Sequence, residues 1–187
     1  MKIAVFNLKG GVGKTTLSVS LAIDLKMYLI SNDDSVIMSV YDYAKIMKEP
    51  KLIENCIYDF GGFVDDSVNQ ILPFCDLVLI PLTADLNSFK KTISSFEQIQ
   101  NKNKNIVFVA NRAEKEDFEE IKKFLKKYEL PIFEIRESRI WKKTFEQKKS
   151  VLEIKNDSKA SNWIYRNSVS GYIELLNFLK IKIEKKN

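Results

Sequence analysis

The 187-residue sequence contains no histidine. This absence excludes histidine as a general acid or base, the Ser-His and Cys-His nucleophile systems, and ordinary zinc sites. Any hydrolysis would therefore depend on carboxylates, lysines, backbone N–H groups and a hard metal such as Mg²⁺, which prefers oxygen ligands.

Cysteines and long apolar runs are also scarce. The two cysteines, Cys56 and Cys75, each lie within an apolar run, which indicates buried thiols in a reducing compartment and not a disulfide framework. No apolar run is long enough to span a bilayer, and no signal-peptide pattern opens the chain. We therefore expect a cytoplasmic protein with a single domain over residues 1–187.

Positive charge is concentrated in the C-terminal part of the chain. Residues 139–187 carry 12 Lys and Arg against 5 Asp and Glu, a net charge of +7, whereas residues 1–138 carry 18 against 20. A basic C-terminal part is compatible with a polyanionic partner and, equally, with a solvated lysine-rich surface.

The most informative motif in the sequence is Lys9-Gly10-Gly11-Val12-Gly13-Lys14-Thr15-Thr16. It follows an apolar run at residues 3–6 and precedes apolar residues at helical spacing. A strand, a glycine-rich turn and a helix N-terminus together form a phosphate-binding loop, because backbone N–H groups and the helix dipole attract anions. In such a loop Lys14 reaches the β- and γ-phosphates and the Thr15 hydroxyl ligates Mg²⁺. The expected nucleotide-binding residues are Gly10, Gly11, Val12, Gly13, Lys14, Thr15 and Thr16.

The motif departs from the common G-x-x-x-x-G-K-[ST] pattern, because Leu8 stands where the first glycine is required and Lys9 adds a second lysine. It resembles the deviant Walker A loop of the ParA/MinD group of ATPases, and in particular the small plasmid-type ParA proteins without an N-terminal helix-turn-helix. In that group the early lysine crosses a nucleotide-sandwich dimer to the partner's phosphates. The resemblance thus implies that Lys9 and Lys14 act in ATP hydrolysis, with ADP as product.

Two further strand ends carry carboxylates near the expected loop. Asp33 and Asp34 follow one apolar run, and Asp59 ends another, directly before Phe60-Gly61-Gly62. Ligands of open α/β sheets bind at the carboxyl ends of strands, so we expect Asp59 to hold Mg²⁺, directly or through water. The resemblance assigns Asp33 as the catalytic residue that orients water, with Asp34 as a one-residue alternative. A turn without a catalytic role remains open.

Strands alternate with helices through the rest of the chain, which predicts one doubly wound, mainly parallel α/β sheet of the P-loop NTPase fold. We predict strands at residues 77–82, 106–110 and 131–135, and a small helix around Tyr41–Met47. The resemblance implies that Asn111 contacts adenine, although a strand-end asparagine that forms a turn fits equally. A long final helix is expected after residue 157, packed on the sheet by Trp163, Ile164, Tyr172, Leu175, Leu176 and Leu179.

The resemblance implies a ParA-like partition ATPase that depends on Mg²⁺ and hydrolyses ATP slowly without its partner. The resemblance further implies an ATP-dependent homodimer, a ParB-like centromere-binding partner, and a nucleoid-associated location through non-specific DNA binding. Two alternatives stay open: a MinD-like membrane-associated positioning ATPase anchored by Leu175–Lys186, and a slow or non-hydrolysing dimerisation scaffold. We expect no membrane association, because the leucines of that segment are better explained as core. The candidate DNA-binding residues are Arg139, Lys142, Lys143, Lys148 and Lys149.

Overall fold

The structure, a computed structural model, describes residues 1–33 and 36–186. Within these residues seven strands form one parallel sheet. The strands are β1 (Lys2–Val5), β2 (Tyr28–Ser31), β3 (Ala44–Ile46), β4 (Cys56–Asp59), β5 (Leu77–Leu82), β6 (Ile106–Ala113) and β7 (Ile132–Arg136). Their order across the sheet is β3-β2-β4-β1-β5-β6-β7, which places β1 at the centre.

Helices connect the strands and cover both faces of the sheet. The α-helices are α1 (Lys14–Leu25), α2 (Ile37–Val40), α3 (Asp66–Ile71), α4 (Leu86–Ile99), α5 (Lys115–Leu125), α6 (Ile140–Gln147), α7 (Val151–Asn156), α8 (Lys159–Tyr165) and α9 (Ser170–Glu184). Short 3₁₀ turns at Leu72–Phe74 and Lys126–Tyr128 follow α3 and α5.

Alternating side chains of the strands divide the core in two. In β1, Ile3 and Val5 pack with α1, α6, α7 and α9 on one face, whereas Ala4 packs with α3, α4 and α5 on the other. Because parallel strands buried on both faces need apolar residues at every position, the continuous apolar run of β5 is buried throughout. The predicted doubly wound parallel α/β fold is confirmed.

The helix predicted around Tyr41–Met47 is wrong. That segment contains β3, which pairs with β2 at the edge of the sheet, from Ala44 opposite Leu29 to Ile46 opposite Ser31. The Tyr41 hydroxyl donates to the carbonyl of Met27 at 3.0 Å and so ties the segment to the start of β2. Pairing with the sheet therefore overrides the local preference of a short segment.

The single long final helix is also wrong, because the chain turns between α8 and α9. Trp163 and Ile164 are 68% and 61% exposed, contrary to the expectation that they pack on the sheet. Val169, at the turn, is fully buried in their place. The predicted burial of Tyr172, Leu175, Leu176 and Leu179 in α9 is confirmed.

A close backbone contact and a pair of hydrogen bonds fix the positions of α9 and α7. Gly171 lies so close to β7 that a Cβ atom there would overlap the carbonyl oxygen of Glu134. The Asp24 carboxylate of α1 accepts hydrogen bonds from the Ser150 hydroxyl, which caps α7, and from the Tyr172 hydroxyl at 2.7 Å. Burial raises the pKa of Asp24 above its usual value, although both hydrogen bonds oppose this.

None of the helices in residues 1–33 and 36–186 combines the length and the apolar character that a membrane crossing requires.

Candidate functional site

The glycine-rich loop lies at the carboxyl end of the central strand, between β1 and α1. Gly11 and Gly13 adopt φ angles of +80° and +82°, a left-handed conformation that other residues adopt only with strain. A Cβ atom at Gly13 would in addition overlap the side-chain nitrogen of Asn111. Helix α1 starts directly after Gly13, so its N-terminal N–H groups face the same space.

A cavity of about 260 Å³ opens over this loop. It brings together four parts of the chain that are distant in sequence: the loop, the end of β2, the end of β4 and Arg112 of β6. Of the predicted site residues, it is lined by Gly10, Gly11, Gly13, Lys14, Thr15, Thr16, Asp33 and Asp59. Val12 is instead buried in the protein. The alternative Asp34 lies outside the described residues.

Lys14 is the positive group at the base of the cavity. It is only 9% exposed, and its ammonium donates to the carbonyl of Lys9 at 3.1 Å. Burial lowers the pKa of Lys14, while the carboxylates of Asp59 and Asp33 partly restore it. A desolvated ammonium beside free N–H groups favours an anion, since an anion would compensate the missing hydration.

Asp59 ends β4 and faces Lys14 across the cavity. Its carboxylate is 2% exposed and accepts a hydrogen bond from the Ser18 hydroxyl at 3.0 Å. Thr15 lines the same cavity as this carboxylate. Burial raises the pKa of Asp59 to about 6. A hydroxyl and a carboxylate side by side form a hard oxygen donor set, which fits Mg²⁺.

The end of β2 is linked to the segment after β4 by Asn32. Its side-chain oxygen accepts the Gly61 N–H at 2.7 Å, and its side-chain nitrogen donates to Asp65 at 3.0 Å. Asp33 follows on the cavity side, with its N–H donating to the Ser31 hydroxyl at 3.1 Å. This linkage holds together the two segments that carry Asp33 and Asp59.

A second cavity, of about 600 Å³, adjoins the loop at Gly13 and Thr16. Apolar surface from Leu17, Trp141 and Phe145 forms part of its wall. Asn111 lines this second cavity, and its side-chain nitrogen donates to the carbonyl of Val12 at 2.7 Å. The predicted adenine contact thus stands in the wall of this cavity and also braces the loop.

The five candidate DNA-binding residues separate into two places. Arg139 and Lys142 line the cavity beside the loop. Lys143 lies over the Tyr165 ring at 5.4 Å, and Lys149 forms an ion pair with Asp157 at 2.9 Å. Lys148, at the end of α6, is exposed.

Sequence reasoning missed Ser18, Asn32 and Arg112 as site residues. Arg112 lines both cavities and lies 3.8 Å from the Glu137 carboxylate. It has a φ angle of +55° at an irregularity of β6, and this backbone conformation cannot be read from the sequence. The position of Ser18 one helical turn after Lys14 was the only signal available for that residue.

Lys9 lies at the front of the loop. Its ammonium donates to the Gly10 carbonyl at 3.0 Å, and its backbone N–H donates to the side-chain oxygen of Asn7 at 2.8 Å. Unlike Lys14, Lys9 does not line the cavity.

Comparison with known families matches residues 3–151 to the CobQ/CobB/MinD/ParA nucleotide-binding domain. The chain therefore belongs to this family, which confirms the resemblance at that level. A comparison with curated protein sequences finds no match.

Solved structures of the family share the fold at low sequence identity. Apo McdA from Cyanothece has a TM-score of 0.69 and 16% identity, over 91% of this chain and 96% of that one. A putative plasmid partition protein from Borrelia burgdorferi B31 bound to AMPPNP has a TM-score of 0.65 and 18% identity, over 92% and 98%. The septum site-determining protein MinD from Pyrococcus horikoshii OT3, complexed with Mg-ADP, has a TM-score of 0.69 and 14% identity, over 95% of each chain.

Proposed function

We propose that this protein is a Mg²⁺-dependent ATPase of the ParA type that switches between ADP and ATP states. The observation that carries the proposal is the single cavity in which the glycine loop, Lys14, Thr15, Asp33 and Asp59 converge. The loop N–H groups and Lys14 would hold the phosphates, and Thr15 and Asp59 would hold Mg²⁺. When bound, Mg²⁺ supplies positive charge that neutralises the phosphate oxygens.

Adenine would occupy the second cavity. Its position next to Gly13 and Thr16 and its apolar wall suit a planar ring. Arg139 and Lys142 line this cavity, so their charges are placed to act on the nucleotide as well as on DNA. Arg112, between the two cavities, is placed to contact a phosphate.

Two subunits would close face to face, with Lys9 of each reaching the phosphates of the other. This role is supported by the position of Lys9 at the front of the loop, outside the cavity of its own subunit. Asp33 would orient the attacking water, and Lys9 and Lys14 would stabilise developing negative charge. Among the residues that the structure describes, the Lys9 ammonium makes one hydrogen bond, to the Gly10 carbonyl at 3.0 Å, and so its side chain is available to a partner.

The ATP-bound dimer would bind DNA without sequence preference and would be reset by a ParB-like partner that stimulates hydrolysis. The exposed Lys148 and the neighbouring Lys143 and Lys149 are candidate phosphate contacts. Binding through such contacts weakens steeply as salt concentration rises. This cycle would serve the segregation of plasmid or chromosomal DNA and would place the protein at the nucleoid.

A membrane-associated role is less well supported. Three leucines of the C-terminal segment, Leu175, Leu176 and Leu179, are buried against the sheet and so are not free to enter a bilayer, whereas Ile181 is 52% exposed.

The test compares DNA gel shift with vesicle co-sedimentation, each with and without ATP, together with ATP turnover with and without DNA. The proposal expects ATP-dependent, salt-sensitive DNA binding and slow turnover. ATP-dependent binding to vesicles but not to DNA would replace it with the MinD-like alternative, and binding without turnover would replace it with the scaffold.

A further inference from the structure

Asn7 is a fully buried amide at the entrance to the glycine loop. Its side-chain oxygen accepts the Lys9 N–H at 2.8 Å and faces the Ser95 hydroxyl at 3.2 Å. Its side-chain nitrogen donates to the Pro81 carbonyl at 2.8 Å and to the Thr92 hydroxyl at 2.9 Å. Both donor hydrogens are used and the oxygen accepts the Lys9 N–H, so the amide has one orientation in this site.

The network connects the loop to α4 through two successive N–H groups. The Leu8 N–H donates to the Ser95 hydroxyl at 2.9 Å, and the Lys9 N–H donates to Asn7. Ser95 is anchored in turn on the Lys91 carbonyl at 2.7 Å. The backbone on which the Lys9 side chain is mounted is therefore fixed by Asn7, Thr92 and Ser95, all of them fully buried.

Packing alone does not explain an asparagine at this position. A buried amide stabilises the protein no more than an apolar side chain does, unless its hydrogen bonds hold a particular structure. The rest of the chain supplies a comparison. Asn103 is equally encased at 6% exposure, and its nitrogen donates to the carbonyls of Leu72 and Cys75 at 3.1 and 2.7 Å. Its oxygen accepts the Asn105 N–H at 2.9 Å. Asn103 thus closes a turn before β5 and makes no contact with the loop.

We propose that Asn7, held by Thr92 and Ser95 of α4, is the positioning residue for Lys9 in the ATP-dependent dimer. The inference rests on the proposed role of Lys9 in reaching the partner's phosphates. Without Asn7 the backbone N–H of Lys9 loses its buried acceptor, and the Lys9 side chain points in several directions instead of one. Ordering this side chain then costs free energy when the dimer forms, whereas the nucleotide contacts within the same subunit are unchanged.

The test compares Asn7→Ala with Asn103→Ala as a matched control. Both variants lose a buried amide with comparable bonding, so both should lower the urea midpoint by comparable amounts. Only Asn7→Ala should weaken ATP-dependent dimerisation, by roughly tenfold, while fluorescent-ATP binding to the monomer changes by less than about threefold. A purely structural role would move the urea midpoint and leave dimerisation unchanged.

A second pair keeps the test decisive if Asn7→Ala does not fold. Ser95 and Ser94 are neighbours on α4, and each hydroxyl donates to the carbonyl four residues earlier, at 2.7 and 3.2 Å. Only Ser95 contacts the loop. Ser95→Ala should weaken dimerisation and Ser94→Ala should not. Equal behaviour of the two serine variants would overturn the inference.

The variant Lys9→Ala distinguishes a failure of this inference from a failure of the proposed function on which it rests. If Lys9→Ala dimerises normally with ATP, the cross-subunit role of Lys9 is wrong and the inference falls with it. If Lys9→Ala stays monomeric while Asn7→Ala dimerises like the parent protein, only the inference is wrong. Because Asn7 acts through Lys9, the double variant should dimerise no more weakly than Lys9→Ala alone.

Discussion

Asn111→Ala tests whether the asparagine at the end of β6 braces the phosphate loop or reads the base. Its side-chain nitrogen makes a buried hydrogen bond of 2.7 Å to the Val12 carbonyl. Removing one partner of a buried bond costs about 1–3 kcal/mol. If that cost falls on the loop conformation that binds phosphate, affinity drops by about 5- to 150-fold.

The assay is calorimetric titration with ATP, GTP and inorganic tripolyphosphate. Since the brace acts on the loop and not on the base, we expect Asn111→Ala to weaken all three ligands by a similar factor. Asn103→Ala, which removes a buried amide far from the loop, should leave tripolyphosphate binding unchanged. A variant that binds ATP more weakly but tripolyphosphate normally would refute the brace and identify Asn111 as a base reader only.

Three further outcomes are expected. Gly171→Ala should destabilise the protein, because overlap with the β7 backbone, at about 1–3 kcal/mol or more, outweighs the gain of about 1 kcal/mol in helix propensity; a higher urea midpoint would contradict the packing. Asp24 has a raised pKa in the folded state, so its contribution to stability is largest at low pH and is lost as pH rises through that pKa. The parent protein should therefore gain stability relative to Asp24→Asn as pH falls from neutral through that raised pKa, and urea unfolding that shows the opposite trend would rule this out. Asp33→Ala should accumulate an ATP-bound dimer that does not turn over, measured by phosphate release; if Asp34→Ala does so instead, the assignment is off by one residue.

The sequence predicted correctly those elements whose structure is determined by the residues within the element itself. The run Leu77–Leu82 predicted β5 with its observed bounds, because a strand buried on both faces must be apolar throughout. The glycine loop was also predictable from the sequence, because its φ angles of about +80° require glycine at those positions.

The sequence was less informative where tertiary pairing decides. The three residues of β3 carry little pattern of their own and become a strand only through β2. Trp163 and Ile164 have the apolar character of core residues, yet the turn before Val169 leaves them at the surface.

Within the site, the carboxylates and the loop lysines were identifiable because each follows a strand or a glycine run. Asn7, Asn32 and Arg112 were not, because their importance comes from contacts between residues distant in sequence. Asn7, for example, contacts Ser95, which lies 88 positions further along the chain. A single sequence contains no record of such pairs.

The mass of the protein in solution, measured by size exclusion with light scattering in ATP·Mg²⁺ and in ADP·Mg²⁺, tests most directly whether ATP closes a dimer through Lys9. The 21.7 kDa chain should have twice its mass in ATP and the mass of a monomer in ADP. Lys9→Ala should bind ATP yet remain a monomer in both nucleotides. A Lys9→Ala protein that dimerises with ATP as the parent does would contradict a dimer closed by this lysine.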